Sequence, residues 1–301
     1  MTVLLAVLGI LGVSASGPIM AATAAPALAI AFWRTALGAA VMAVPVATRQ
    51  RTQLSKLRWA DYKWGIAAAV ALALHFACFI TSVKLTSVAA ATALVCLQAA
   101  WIAVFQLLGG IKPGRPVVLG LGLALAGVVV VSGFDIGHSP QAAKGDALAL
   151  AGGALAALYT MAGAKARRTM STGIYTMLCY GVCAVVLLAM CLIWRQPLAG
   201  FPPQAWLGIA AVTLVSQIMG HTIFNHLLAT ISPLVVSMMI LLEIPGAAIL
   251  AAVFLGETLP AGTYAGLALI LAGLGVVVLL QGRSSLARRP RREGDGTGGA
   301  D

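Results

Sequence analysis

Apolar residues run along this chain in long blocks separated by short polar or Gly/Pro-containing turns. Ten blocks approach the roughly 20 residues that cross a bilayer core: 3–23, 27–47, 64–83, 87–108, 116–133, 146–164, 174–194, 206–227, 233–255 and 262–281. The pattern predicts an all-α integral membrane protein of ten transmembrane helices. The ninth block contains Glu243, followed by Pro245. A carboxylate at membrane depth costs about 2.5–3.5 kcal/mol on insertion scales. A proline there frees a carbonyl and kinks the helix, so Pro245 is a candidate hinge.

Composition agrees with the pattern. Of 301 residues, 61% are hydrophobic and 9% charged, too apolar for a water-surrounded domain. The net charge of +11 would suit a nucleic-acid binder, but the basic residues cluster between apolar blocks, where they read as topology signals. Arg49, Arg51, Lys56, Arg58, Lys63, Lys112, Arg115, Lys165, Arg167, Arg168 and the arginines after residue 282 fall on one side. Lys84, Lys144 and Arg195 fall on the other. Both termini are therefore expected in the cytoplasm, with the chain in the cell (inner or plasma) membrane. The start lacks the positive region of a signal peptide, so it reads as the first span. The Arg/Gly-rich tail, 282–301, is expected to be disordered. Cys78, Cys96, Cys179, Cys183 and Cys191 all lie in apolar blocks and read as packing residues. Neither metal-ligand spacing nor a phosphate-binding loop occurs, so no cofactor and no enzyme activity are expected.

The halves repeat. His75 and His221 lie 146 positions apart, as do Gly110 and Gly256, Gly120 and Gly266, and Gly127 and Gly273. Each half, 1–140 and 141–281, would hold five spans. An odd number reverses orientation, so the halves are expected to be inverted repeats, with a site between them near mid-membrane. Ten spans in two such halves resemble the drug/metabolite transporter superfamily, in particular its EamA-type members. Arg34 in Phe32-Trp33-Arg34-Thr35, Glu243-Ile-Pro245, Phe254-Leu-Gly256-Glu257 and Gly266 through Gly273 carry the resemblance. It implies a carrier of small metabolites, often an exporter, without implying one substrate. The first half departs from the pattern. Leu97, Ala99 and Ile111 stand opposite Glu243, Pro245 and Glu257, which leans any ionisable chemistry on the second half.

Candidate residues follow from cost. Glu243 is a proton acceptor or a partner for a cationic substrate group, or a hydrogen-bond acceptor bracing the kink. Arg34 cannot readily lose its charge and needs an acid, a substrate anion or a route to the interface. Thr213, Gln217, His221 and Asn225 are spaced by four and would stack on one face, lining a wet cavity or tying helices together. His75 and His221 could relay protons or be satisfied packing residues. Tyr180 stands opposite Arg34 in the repeat. Asp135, Asp146 and Glu257 read as solvated loop acids, Glu257 with a role at the outer mouth. Gly262 and Gly266 allow close helix contact within the chain or in a homodimer.

The expected function is a secondary transporter, an exporter by resemblance, moving small polar or amphipathic metabolites such as amino acids by alternating access. Glu243 and His221 are the candidates for proton coupling. Arg34 and the eighth-span stripe are the candidates for substrate contact. The expected partners are that substrate and membrane lipid. An uncoupled facilitator, a non-transporting scaffold or sensor, and a lipid-handling protein are the alternatives.

Overall fold

The computed structural model describes residues 2–111, 114–258 and 261–287, with backbone alone at 117, 128, 131–138, 274 and 277–287. These described residues are helices and turns, with no strand. The first block is α1 (Thr2–Ser14) and α2 (Ser16–Ala22), interrupted at Ala15. Next come α3 (Ala27–Arg49), the single turn α4 (Arg51–Leu54) and α5 (Trp59–Ser82). The fourth block is split into α6 (Val88–Val95) and α7 (Gln98–Leu108), and α8 (Arg115–His138), α9 (Pro140–Ala166) and α10 (Thr172–Ile193) follow. The eighth block is α11 (Pro203–Ala211), a π-helix (Val212–His221) and α12 (Thr222–Leu227). The ninth is α13 (Pro233–Ile240) and α14 (Glu243–Leu255), and α15 (Ala261–Ala287) is last.

Among the described residues eight spans are long and apolar enough to cross a membrane, against ten expected. Two further apolar stretches, Val118–Gly127 and Ala261–Gly273, are shorter among the described residues. α15 runs past Gln281 to Ala287, into the segment expected to be disordered; residues 288–301, like Lys112, lie outside the described residues. Ser87, Ser139, Ser171 and Ser232 cap α6, α9, α10 and α13, each accepting from the backbone N–H three residues on. α9 starts six residues earlier than expected, so Asp146 is corrected from a solvated loop acid to a buried helical one, 2% exposed.

Contacts sort the turns to two ends of a bundle. At one end Lys84 Nζ donates to Ala21 O (3.1 Å) and Thr23 O (2.6 Å). There Glu257 Oε1 accepts from Val88 N (2.8 Å), and Trp33 Nε1 donates to Leu198 O (2.8 Å). At the other, basic end Ser171 Oγ donates to Gln50 Oε1 (2.5 Å). Arg167 there donates to Asn225 O (3.0 Å), Met170 O and Thr172 Oγ1 (2.8 Å).

Small residues set the helix spacing. A Cβ on Gly12 would lie 2.6 Å from Val215 O, so α1 and the π-helix touch backbone to backbone. A Cβ on Gly127 would lie 2.6 Å from Gly266 O, and one on Gly273 would lie 2.4 Å from Gly120 O. These four glycines of α8 and α15 are the pairs related by 146 positions, and they meet reciprocally. The free cysteines are packing residues as expected, all buried except the half-buried Cys78.

Candidate functional site

Helix interruptions converge at one level of the bundle. Pro245 has no N–H and its ring would clash with the carbonyl four residues back, so the ninth span breaks at Leu241-Leu242 and restarts at Glu243. The carboxylate thus stands in the first turn of α14, where the helix dipole favours negative charge. The fourth span breaks at Cys96-Leu97 with no proline, and nothing local in the sequence explains that break. Its restart places Gln98 in the first turn of α7. The two breaks touch. Ile244 N donates to Leu241 O instead of to Ile240 O, and the Cys96 thiol reaches Ile240 O at 3.9 Å.

Between the breaks lies a cavity of about 50 Å³. Ser16 from the start of α2, His75 of α5, Gln98 of α7, Tyr159 of α9, His221 and Asn225 of the eighth span, and Glu243 of α14 line it. It has room for a few waters, at about 10–15 Å³ each. His75 Nδ1 faces Gly152 O at 2.9 Å, which makes Nδ1 the protonated nitrogen and leaves Nε2 as acceptor in the neutral ring. His75 stacks on Phe79, while His221 meets Phe76 edge-on (5.3 Å) and Tyr159 (6.5 Å). Tyr159 OH donates to Asn225 Oδ1. Asn225 Nδ2 and Gln98 Nε2 are buried without a hydrogen-bond partner. The cavity therefore offers unspent donors at two amides and a carboxylate acceptor at Glu243.

The predicted candidates divide. Glu243, His75, His221 and Asn225 come together around the cavity. Arg34, Gln217 and Tyr180 do not line it; they form a fully buried cluster beside it. Arg34 Nε donates to Gln217 Oε1 (2.8 Å), and Nη1 reaches Ser16 Oγ (3.4 Å) and Met20 Sδ (3.3 Å). The guanidinium sits 4.3 Å over the Phe76 ring, and Nη2 has no partner. Among the described residues no ion pair joins Arg34 to Glu243. Tyr180 OH donates to Gln217 O (3.0 Å), and Gly38 leaves the room both side chains need. Thr213, expected on the same wet stripe, donates to Ile209 O (2.7 Å) away from the cavity. The cause is the π-helix: its wider turn rotates the four-residue spacing off a single face. Such turns recur at functional sites.

Sequence reasoning missed Gln98 and Ser16. Gln98 stands one position from the repeat counterpart of Glu243, and a polar residue there was the available signal. Glu257, expected to be solvated, is half-buried. Burial pushes its carboxyl above the ordinary 4.5, opposed by hydrogen bonds from the Val88 and Ala89 backbone. Lys84 at the same end is exposed, but partial desolvation of its ammonium lowers its pKa from the ordinary 10.5.

Comparison with known proteins follows the same lines. The profile of the EamA-like transporter family matches residues 1–133 and 143–279. Solved structures match as well, 27 chains among them. One, titled only as the crystal structure of a protein, superimposes with a TM-score of 0.67 at 20% identity. The match covers 93% of this chain and 97% of that one, and at this identity it speaks for the fold alone. Among curated proteins none matches.

Proposed function

Because the chain belongs to the EamA-like transporter family, we propose that it is a secondary transporter of small polar or amphipathic metabolites, amino acids or related compounds, working by alternating access. The observation that carries the reading is the convergence of helix breaks on one cavity. Discontinuous helices whose ends face a midplane site are the recurring construction of such carriers. Glu243 at the head of α14 would take a substrate ammonium or a coupling proton. Asn225 Nδ2 and Gln98 Nε2 would donate to a carboxylate or carbonyl. Arg34 holds Ser16, which lines the cavity, and sets a positive potential behind it.

Ten spans in two inverted halves fit this mechanism. The reciprocal meeting of Gly127 with Gly266 and Gly273 with Gly120 supports an axis relating the halves, as does the shared position of His75 and His221 on one cavity. The cavity is small because both ends of the bundle are fastened. Lys84 and Glu257 hold one end, and Arg167 and Ser171 hold the other. A substrate larger than a few waters enters when one set of fastenings parts. The positive-inside bias supports cytoplasmic termini, and the resemblance supports export.

The test is two-sided access. A single cysteine at Asn225, in an otherwise cysteine-free chain, should react with a small charged thiol reagent applied from either side of sealed vesicles. A cysteine at Thr213 should resist from both. Protection of both positions from both sides would favour a static scaffold.

A further inference from the structure

Outside the central cavity, a groove of about 570 Å³ lies between α5 and α9. Val70, Leu74, Leu155 and Leu158 line it, and Trp64 and Lys165 close its basic end. Its walls are exposed although apolar: Leu74 is 38% and Leu158 45% exposed. Leu158 stands 146 positions after Gly12, and Leu74 stands 146 before Gly220. Gly12 and Gly220 bring α1 and the π-helix into backbone contact. The same two positions on α5 and α9 carry leucines, which line the groove. The helices stay joined further along, where His75 Nδ1 bonds to Gly152 O. The groove therefore opens sideways in the basic half of the bundle.

The basic rim identifies the occupant. Lys165 Nζ lies 3.9 Å over the Trp64 ring and Lys63 Nζ lies 5.8 Å from its centroid. Both lysines and the indole are exposed. An amphipathic indole with two ammonium groups at the end of an apolar slot matches a phospholipid entering from the bilayer: acyl chain in the slot, anionic headgroup on the ammonium groups. We propose that this groove is a binding site for one anionic phospholipid, on the leaflet that faces the basic end of the bundle.

Native mass spectrometry of the full chain, equilibrated with palmitoyl-oleoyl phosphatidylglycerol and phosphatidylcholine in equal amounts, tests it. The wild type should retain one phosphatidylglycerol in preference to phosphatidylcholine. Lys165→Gln should lower phosphatidylglycerol retention about five-fold, what one basic group contributes beside an anionic headgroup, and leave phosphatidylcholine unchanged. Lys165→Arg should restore it. Ala67→Trp fills the groove and should lower retention of both lipids. Lys144→Gln, at the opposite end, should change nothing. A phosphatidylglycerol preference that survives Lys165→Gln and Ala67→Trp would overturn the assignment. So would a wild type that does not discriminate, or a groove covered by a second copy, seen as a dimer that retains neither lipid.

Discussion

Arg34 is the most expensive side chain in the bundle, and its surroundings predict an unusual order of mutant stabilities. It is 0% exposed, with one good hydrogen bond to Gln217 Oε1 at 2.8 Å and weaker contacts to Ser16, Met20 and the Phe76 ring. Gln217→Leu removes the good bond and keeps the buried charge. A hydrogen bond to a charged group is worth about 1.5–3 kcal/mol, so the loss should be about 2–3 kcal/mol. Arg34→Met removes the same bond, strands Gln217 Oε1 at about 1–3 kcal/mol and gives up a cation–π contact of up to about 2 kcal/mol. It also removes the desolvation of a guanidinium, several kcal/mol. The terms nearly cancel, so Arg34→Met should be close to wild type. The double variant should recover most of what Gln217→Leu loses. Thermal unfolding in detergent can be followed with a thiol-reactive dye that reports exposure of the buried Cys96, Cys179, Cys183 and Cys191. Gln217→Leu should fall by about 4–12 °C, at roughly 2–4 °C per kcal/mol. Arg34→Met should stay within a few degrees of wild type but lose flux. An Arg34→Met chain less stable than Gln217→Leu would refute the reasoning and make Arg34 a structural keystone.

Other expectations follow from the same contacts. Gly12→Ala puts a Cβ 2.6 Å from Val215 O and should destabilise by about 1–3 kcal/mol by overpacking, read in the same thermal assay. Gly256, at φ +65° with open space around it, should lose about 1 kcal/mol on change to Ala through backbone strain alone. Glu257 has a raised carboxyl pKa, so its contribution to folding is fullest below pH 4.5 and is lost as pH rises through the raised value. The stability profile of wild type should therefore decline over that window relative to Glu257→Gln, and parallel profiles would contradict it. Tyr159→Phe strands Asn225 Oδ1 beside an already unpartnered Nδ2, and should cost about 1–3 kcal/mol with substrate affinity altered.

Much of the architecture was legible because long apolar blocks and Pro245 act locally. A proline in mid-span removes a helix hydrogen bond, so a kink before Pro245 could be read from the chain, although Pro45 sits inside α3 without interrupting it. The paired histidines could be read because they stand 146 positions apart, and both line the cavity. The eighth-span stripe could not. Spacing by four promises one face only in an α-helix, and the π-helix at Val212–His221 sends Thr213 and Gln217 away from the cavity while His221 and Asn225 face it. Arg34 was recognised as needing a partner. That the partner is a neutral amide on another helix depends on how α3 packs against the eighth span, which no local pattern encodes. The burial of Asp146 was missed because Pro140 starts α9 earlier than hydropathy suggests.

The central claim rests on Glu243 in the cavity between the helix breaks. Purified protein in sealed liposomes, with an imposed pH gradient and a pooled set of amino acids and polar metabolites, tests it most directly. The account predicts gradient-driven flux in the wild type and its loss in Glu243→Gln, with the variant still folded by the thiol assay. Equal gradient-driven flux in both chains would contradict it.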